Sequence, residues 1–546
     1  MPETSILIVG GGCGAVAAAL AIARTGGTCI LTEYTDWVGG QLTSQAVPPD
    51  ENRWIEGEDG FFGATASYID FRNKVRASYR QNRRLTTAAM ESPRLNPGNG
   101  WVSHLCMEPR IAHDVLLALL APYVASGAVK ILLNIEPVSA STSGDRVTSV
   151  TFKHRFSSET TTISADYFLD ATELGDLYPL AGIEYMSGAE AQSVFGEMHA
   201  RKEKSDPSEY QAISWCFAIE HKPGENHTIA KPQSYEFWRG FTPRLDHPWP
   251  GRLFSWTVLG GDKHEPREFR FLPWPQQPDE HELEMWRYRR IVDRSIYDES
   301  IAANHPDVAL INMVQMDYFL KPIVDVSPQA KLQAMNEAKD QSLAFLYWMQ
   351  TEAPRYDGTD GVGFPGLKLR GDELGTADGF AKFPYIREGR RLKARTIVTE
   401  AHIGTDQRRA ENRPNQHAKP WGLAHAFPDS VGIGHYRLDL HPSTAMRNSI
   451  YVQSAPFRIP LGSLIPIRVR NVLAAAKNQG VTHITNGCYR MHPTEWNTGE
   501  SAGLLAQHCI ATNREPAQIH EDSKLVQEFQ ALVMRQGIPI AWRWEN

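Results

Sequence analysis

The chain has 546 residues, 42% hydrophobic and 22% charged, with a formal charge of -7 from 56 basic and 63 acidic side chains. At about 100 to 200 residues per domain this suffices for two to four globular units, each burying a core. A slightly acidic chain has no general attraction for phosphate backbones. Its densest basic runs, Lys74 to Arg84 and Arg387 to Arg395, are short or mixed, so nucleic acid is not an expected partner. No apolar stretch approaches the roughly 20 residues of a bilayer span, and the start, Met1-Pro2-Glu3, is acidic where a secretory signal is positive. Six cysteines (Cys13, Cys29, Cys106, Cys216, Cys488, Cys509) are scattered without a CxxC pair. A cytoplasmic location is expected, with neither a disulfide framework nor a bound metal.

Ile6-Leu7-Ile8-Val9 is an apolar, β-favouring run suited to a strand buried on both faces of a parallel sheet. It leads into Gly10-Gly11-Gly12-Cys13-Gly14-Ala15, where Gly10, Gly12 and Ala15 satisfy G-x-G-x-x-G/A, and Val16 to Thr25 follows as a small-residue helix. Gly26-Gly27 ends that helix, Cys29 to Thr32 reads as a second strand, and Glu33 stands at its end, 21 residues after Gly12. The glycines let backbone approach a pyrophosphate, and the helix N-terminus, with Cys13 and Gly14 in the turn before it, offers unpaired N–H groups. Glu33 accepts hydrogen bonds from ribose hydroxyls and would repel the 2'-phosphate of NADP. Six residues further, Gly39-Gly40-Gln41 lets backbone lie against a flat ring or phosphate, which favours FAD over NAD; an ordinary turn is the alternative.

Residues 50–100 read as a polar inserted loop ending in Asn96-Pro97-Gly98-Asn99-Gly100. Glu108 to Ser126 reads as a helix, Val129 to Leu133 as a strand, and Ser139 to Phe152 as a hairpin turning near Ser143-Gly144-Asp145. Ala165 to Asp170 is a strand running into the acidic turn Ala171-Thr172-Glu173-Leu174-Gly175-Asp176. From 186 the texture changes, with six of fourteen tryptophans between Trp215 and Trp286, better read as core packing than as a flat-substrate pocket. Ser327-Pro328 opens a helix running to Ala353-Pro354, and the glycine-rich Asp357 to Gly379 is a loop without the Lys-Ser/Thr of a phosphate loop. Val472 to Ala476 reads as a strand. Gly499 to Ile510 is a small-residue helix that starts either with Pro493 at its first position or with Asn497 as cap and Glu500 three residues on.

The expected fold is α/β: a Rossmann-like FAD-binding domain, discontinuous in sequence, with a second α+β substrate or cap domain. The expected boundaries are 1–185 for the first part with its inserted loop, 186–458 for the cap, 459–515 for the return segment, and 516–546 as a tail. The return helix would point its N-terminal dipole at the N1/C2=O edge of a flavin.

Together these segments resemble the bacterial and fungal family of FAD-dependent oxidoreductases, a branch of the glutathione-reductase-like FAD superfamily, over most of the chain. The resemblance rests on Gly10 to Ala15 with Glu33 and Gly39-Gly40; on Asp170-Ala171-Thr172 with Gly175-Asp176-Leu177; on Tyr385-Ile386-Arg387-Glu388 with Arg390-Arg391; and on Thr482-His483 leading to Arg490, Pro493-Thr494, Gly499 and Ala502-Gly503. It implies that the first two blocks, with Gln41, and the last block, with Thr498 and Gly499, hold FAD, and that the Arg387 block belongs to the domain covering the flavin. Many relatives have serine at Gly389 and hydrophobic residues at His492, Glu495 and Asn497, so this chain is polar at the flavin edge.

A flavin takes hydride from a C–H bond next to oxygen, nitrogen or another activating group, and the protein supplies a base for the accompanying proton. His483 and His492, flanking the segment before the return helix, are candidate bases, and His441 of Asp439-x-His441 is a third; each has a packing or hydrogen-bonding histidine as its alternative. Arg490 is a candidate partner for a flavin or substrate anion, and Arg387 a candidate clamp or structural ion pair. No second GxGxxG and no CxxxxC pair is present, and Ala474-Ala475-Ala476-Lys477-Asn478 lacks the Gly-Asp of NADPH-using aromatic hydroxylases. The expected activity is dehydrogenation of a small organic molecule, with reoxidation by oxygen or another acceptor. The alternatives are a flavin monooxygenase using NAD(P)H transiently and an FAD-binding electron-transfer subunit. The sequence leaves the oligomeric state open.

Overall fold

The computed structural model describes residues 3–58, 60–260, 264–273, 284–356, 361–414 and 421–545. Strand β1 (Glu3–Val9) enters helix α1 (Cys13–Arg24) through the glycine turn, and β2 (Cys29–Glu33) follows. Helices α2 (Ala66–Asn82) and α3 (Pro109–Ala125) precede β3 (Val129–Leu133), β4 (Ile135–Ser143), β5 (Arg146–His154) and β6 (Thr160–Asp170). The last pieces are β7 (Val472–Ala474), α4 (His483–Tyr489) and α5 (His492–Thr512). The sheet has seven strands in the order β3-β2-β1-β6-β5-β4, with β7 beside β6. β1 is parallel to β2 and β6, and β2 to β3. β6 is shared: its first half pairs antiparallel with β5, its last residues parallel with β7. The hairpin β4–β5 turns at Gly144-Asp145, where Ser143 faces Arg146.

Ile6 to Val9 are fully buried, as an apolar strand covered on both faces must be. One cover is the pair α1 and α5. A Cβ on Gly499 would run into the Gly14 carbonyl oxygen, and one on Gly503 into that of Ala18, so the helices meet backbone to backbone. Of the two starts open to α5, the structure takes the proline one: Met491 caps it and Pro493 lies in its first turn. Asn497 is interior, accepting from the Ile433 N–H at 3.2 Å and donating to the Val431 carbonyl at 3.2 Å.

Two segments are more ordered than their composition suggests. Residues 50–100 are not a loop, for they contain α2, capped by the Thr65 hydroxyl. Tyr68, Phe71, Val75 and Tyr79 form its buried stripe, at helical spacing. Its polarity comes from buried Arg72 and Arg76, neutralised by Glu51 at 2.8 Å and Glu56 at 2.7 Å. The C-terminal residues form helices Pro516–Glu521 and Ser523–Arg535, which bury Val526, Phe529 and Val533.

The second unit is an antiparallel sheet of four strands, ordered Arg290–Val292, Val308–Ile311, Phe217–His221 and Leu367–Leu369. Helix Pro328–Thr351 lies against it, its start capped by the Ser327 hydroxyl, which accepts from the Ala330 N–H at 3.2 Å. Trp238, Trp256, Trp286 and Trp348 join Phe254 and Phe345 in one aromatic core. Trp274 and residues 357–360 of the glycine-rich stretch lie outside the described residues; the rest of that stretch includes strand Leu367–Leu369 and a helical turn, Gly371–Leu374. Strands Ser430–Gly434 and Phe457–Pro460 pair with each other, and Val431 and Phe457 share the core of α1. Among the described residues no helix is long and apolar enough to cross a membrane.

Because α1 and α5 touch through glycine, Gly499→Leu forces a side chain into backbone. It is expected to destabilise the protein by about 1–3 kcal/mol or more, read as a lowered Tm, and an unchanged Tm would contradict the close contact.

Candidate active site

The glycine turn, the end of β2 and the turn after β6 line one side of a cleft of about 490 Å³, within the size range of cofactor sites. The other side comes from the second unit: Ile323, Lys331, Met335 and Phe383. Gly10 has φ +101°, and a Cβ there would strike the Ala171 carbonyl, so β1 and β6 end in contact. The Gly10 N–H donates to the Thr32 hydroxyl at 3.1 Å, and the Gly39 N–H to the Gly11 carbonyl at 2.7 Å, so the two glycine blocks lie side by side.

Of the residues expected at a dinucleotide, Gly10, Gly12, Glu33, Gly40, Ala171, Thr172 and Asp176 line the cleft. Gly14 and Gly499 form the helix contact, and Ala15 is buried in the core. Gly175 packs on the Arg390 backbone, and Thr498 bonds Thr494 and Gln479. Glu33 accepts from the Thr35 N–H at 2.8 Å and hydroxyl at 2.7 Å, and burial pushes its carboxyl up to about 7. Asp170 braces the next turn by accepting from the Thr172 N–H at 3.0 Å and the Leu177 N–H at 3.1 Å.

Charges crowd the same point: Glu495, already marked as polar at the flavin edge, is joined there by Glu173 and Lys477. Glu495 accepts from the Gly14 N–H at 3.4 Å and from the Gln41 amide, and Glu173 pairs with buried Lys477. Burial raises the Glu495 carboxyl and Lys477 opposes that rise, while the Cys13 thiol is raised by burial and by Glu495. Glu173 and Lys477 sit inside blocks whose glycines and alanines carried the pattern; a charge directly after an apolar strand was the available signal.

Asp50, Tyr288, Arg289, Tyr436, Asp439 and His441 lie close enough to act on one another's charge, and all but Asp50 keep part of their surface uncovered, so together they outline a polar hollow, joined to Gln41 through Arg490. Tyr288, Arg289 and Tyr436 are surrounded by protein yet keep part of their surface uncovered, and the Asp439 and His441 side chains remain 21% and 22% exposed. The His441 Nδ1–H donates to Asp317 at 2.6 Å; Asp317 also meets Arg387 at 3.1 Å and the Ser214 hydroxyl at 2.9 Å. Burial would raise the Asp317 carboxyl, but His441 and Arg387 hold it below the usual range. Arg490 donates to the Tyr385 hydroxyl at 2.6 Å and the Asp439 carbonyl at 2.9 Å. Asp439 and His441 therefore border one hollow but serve different partners.

The other two candidate bases are differently engaged. His483 is buried, 2.9 Å from Glu388, which outweighs burial and raises the imidazole, while Arg391 shares the same carboxylate. His492 accepts the Asp50 N–H at Nδ1, 3.0 Å, so its proton resides on Nε2, which has no hydrogen-bond partner. Burial, with Lys477 and Arg490 nearby, pushes it down to about 3. Asp50, Asp317, Tyr288, Arg289 and Tyr436 carried no motif, since they come together from four separate parts of the chain.

The family model described as FAD dependent oxidoreductase matches residues 5–533. The chain belongs to that family. FAD is its cofactor, and it is an oxidoreductase. No curated protein matches it. Among solved structures this flavoprotein is similar to a geranylgeranyl bacteriochlorophyll reductase-like protein from Thermoplasma acidophilum, at 10% identity over 98% of this chain and 84% of the other, with a TM-score of 0.33. It is also similar to the flavin-dependent monooxygenase PieE (17% identity, 40% of this chain, TM-score 0.23) and to L-proline dehydrogenase from P. horikoshii (15%, 31%, 0.17). The match spans only 36% and 22% of those two chains.

The cleft suits the cofactor by its own features. A Cβ on Gly12 would come within 3.0 Å of the Glu495 carboxylate and 3.4 Å of that of Glu173, so the turn is faced by movable side chains rather than by close-packed backbone. Gln41 Oε1, Gln45 Nε2 and His492 Nε2 are buried without partners, the condition of groups that a polar ring edge would satisfy. Gly12→Asp would add a third carboxylate there, and the purified variant is expected to lose its yellow colour while keeping its circular dichroism; retained colour would contradict the placement. Ribose hydroxyls donate best to ionised Glu33, so FAD affinity should rise as pH increases through about 7, and Glu33→Gln should flatten that profile in a fluorescence titration.

Proposed function

We propose that the chain dehydrogenates a small organic molecule seated in the hollow, with His441 as the base. The N–H groups at Gly12, Cys13 and Gly14 would hold the pyrophosphate, Glu33 the ribose, and Gln45 with the His492 Nε2–H the ring edge. FAD, when bound, supplies the hydride acceptor. The observation that carries the reading is the Asp317–His441 pair on the wall of the hollow. With Nδ1–H donated to Asp317, Nε2 presents its lone pair; it takes the proton of a substrate O–H or N–H, and Asp317 stabilises the resulting imidazolium. Arg387 keeps Asp317 ionised throughout. His483 is committed to Glu388 and His492 carries its proton where a base needs a lone pair, so neither competes for the role.

Anaerobic mixing of the yellow protein with a panel of alcohols, amines and sugars is expected to bleach the flavin bands with at least one class. Bleaching only after NADPH is added would overturn dehydrogenation. His441→Gln should retain FAD and slow bleaching by about 10²-fold or more, whereas an unchanged rate would remove His441 from the chemistry.

A further inference from the structure

We infer that the hollow binds a carboxylate on Arg289, and so that the substrate of the proposed reaction is a carboxylic acid. The inference rests on that reading for the place of the hollow, but the site is built by Arg289 itself. Its neighbours among the interior arginines all have an acid: Arg387 has Asp317, Arg391 has Glu190, and Arg490 has Asp439 at 3.4 Å. Arg289 has none within 4.0 Å among the described residues. One arm donates to the Asn312 carbonyl at 2.7 Å, and Nε is buried with no partner. The guanidinium carbon lies 4.6 Å from the centre of the Tyr288 ring, a cation–π contact.

A cation enclosed by protein is disfavoured unless something compensates it. Asp50 is the acid that most strongly feels Arg289, yet no ion pair closes between them. Tyr436 is near both, its hydroxyl 3.5 Å from Asp50. A planar anion between Arg289 and Asp50 would meet the unpartnered part of the guanidinium, with the parallel hydrogen bonds that arginine offers a carboxylate. Asp50 and Asp439 nearby disfavour a dianion such as a phosphate monoester, and their carboxylates would accept from hydroxyl or ammonium groups. The chemistry recognised is therefore one carboxylate with a hydrogen-bond donor on the same small molecule.

The test is a titration of the FAD-loaded protein with acetate, lactate and benzoate, and with their amides, followed by perturbation of the flavin absorption bands. Expected is saturable perturbation by at least one carboxylate, with its amide at least tenfold weaker. Arg289→Met should weaken the carboxylate at least tenfold, leave the amide unchanged, and keep the FAD-to-protein ratio and Tm; Arg289→Lys should recover part of the loss. Amides that match the acids, no perturbation by any acid, or an Arg289→Met variant that binds acids as before would each overturn the assignment. A wild-type protein still bleached by an uncharged alcohol or amine would then leave dehydrogenation standing without a carboxylate.

Discussion

The architecture depends on the contact of two helix backbones. Helix α1 starts at the glycine turn and α5 comes from nearly 480 residues later, yet Gly14 meets Gly499 and Ala18 meets Gly503 with no side chain between them. That contact sets where β1 ends relative to the return segment, because β7, which leads through α4 to α5, is paired to β6. The turn after β1, the turn after β6 and the start of α5 are thereby brought to one spot. A cleft made from both ends of the chain is rigid only if those ends are locked, and close-packed backbone is a stiff lock because no rotamer can absorb a change.

The same convergence creates an electrostatic tension. The N-terminal end of α1 carries partial positive charge, and in this chain Glu495 answers it through the Gly14 N–H while Glu173 stands across from it. Lys477, buried and bonded to Glu173 and to the Ile386 carbonyl at 2.6 Å, offsets part of that negative charge. A pyrophosphate at the turn must share the helix end with Glu495, and the raised carboxyl there is the group best placed to take up a proton when it does. The hollow repeats the pattern with opposite sign: Asp317 is balanced by Arg387 and His441, and Arg289 is left over.

How much of this was legible follows from which interactions are local. β1, the glycine turn, α1 and Glu33 are local, since each glycine answers to a bend or contact within a few residues or to a helix packed on it. The hairpin at Gly144-Asp145 and the Ser327-Pro328 helix start are local in the same sense. Helix α2 escaped because Arg72 and Arg76 look like surface residues until Glu51 and Glu56 are seen beside them, although the spacing of Tyr68, Phe71, Val75 and Tyr79 recorded the helix. The hollow as a whole was not legible, although Asp439, His441 and Arg490 stood out singly. Its groups come from residues 50, 288–289, 317, 436–441 and 490, and a buried charge has no sequence mark that separates it from an exposed one. Of the three histidines singled out by position, only the partners told them apart: Glu388 for His483, a backbone N–H for His492, Asp317 for His441.

The most direct measurement is a crystal structure of the FAD-saturated protein. Density for the pyrophosphate is expected over the Gly12–Cys13 turn, with the isoalloxazine running past Gln45 toward His492 and one edge open to the hollow beside His441. A dinucleotide lying elsewhere, or a ring turned away from His441 with protein between them, would contradict the account.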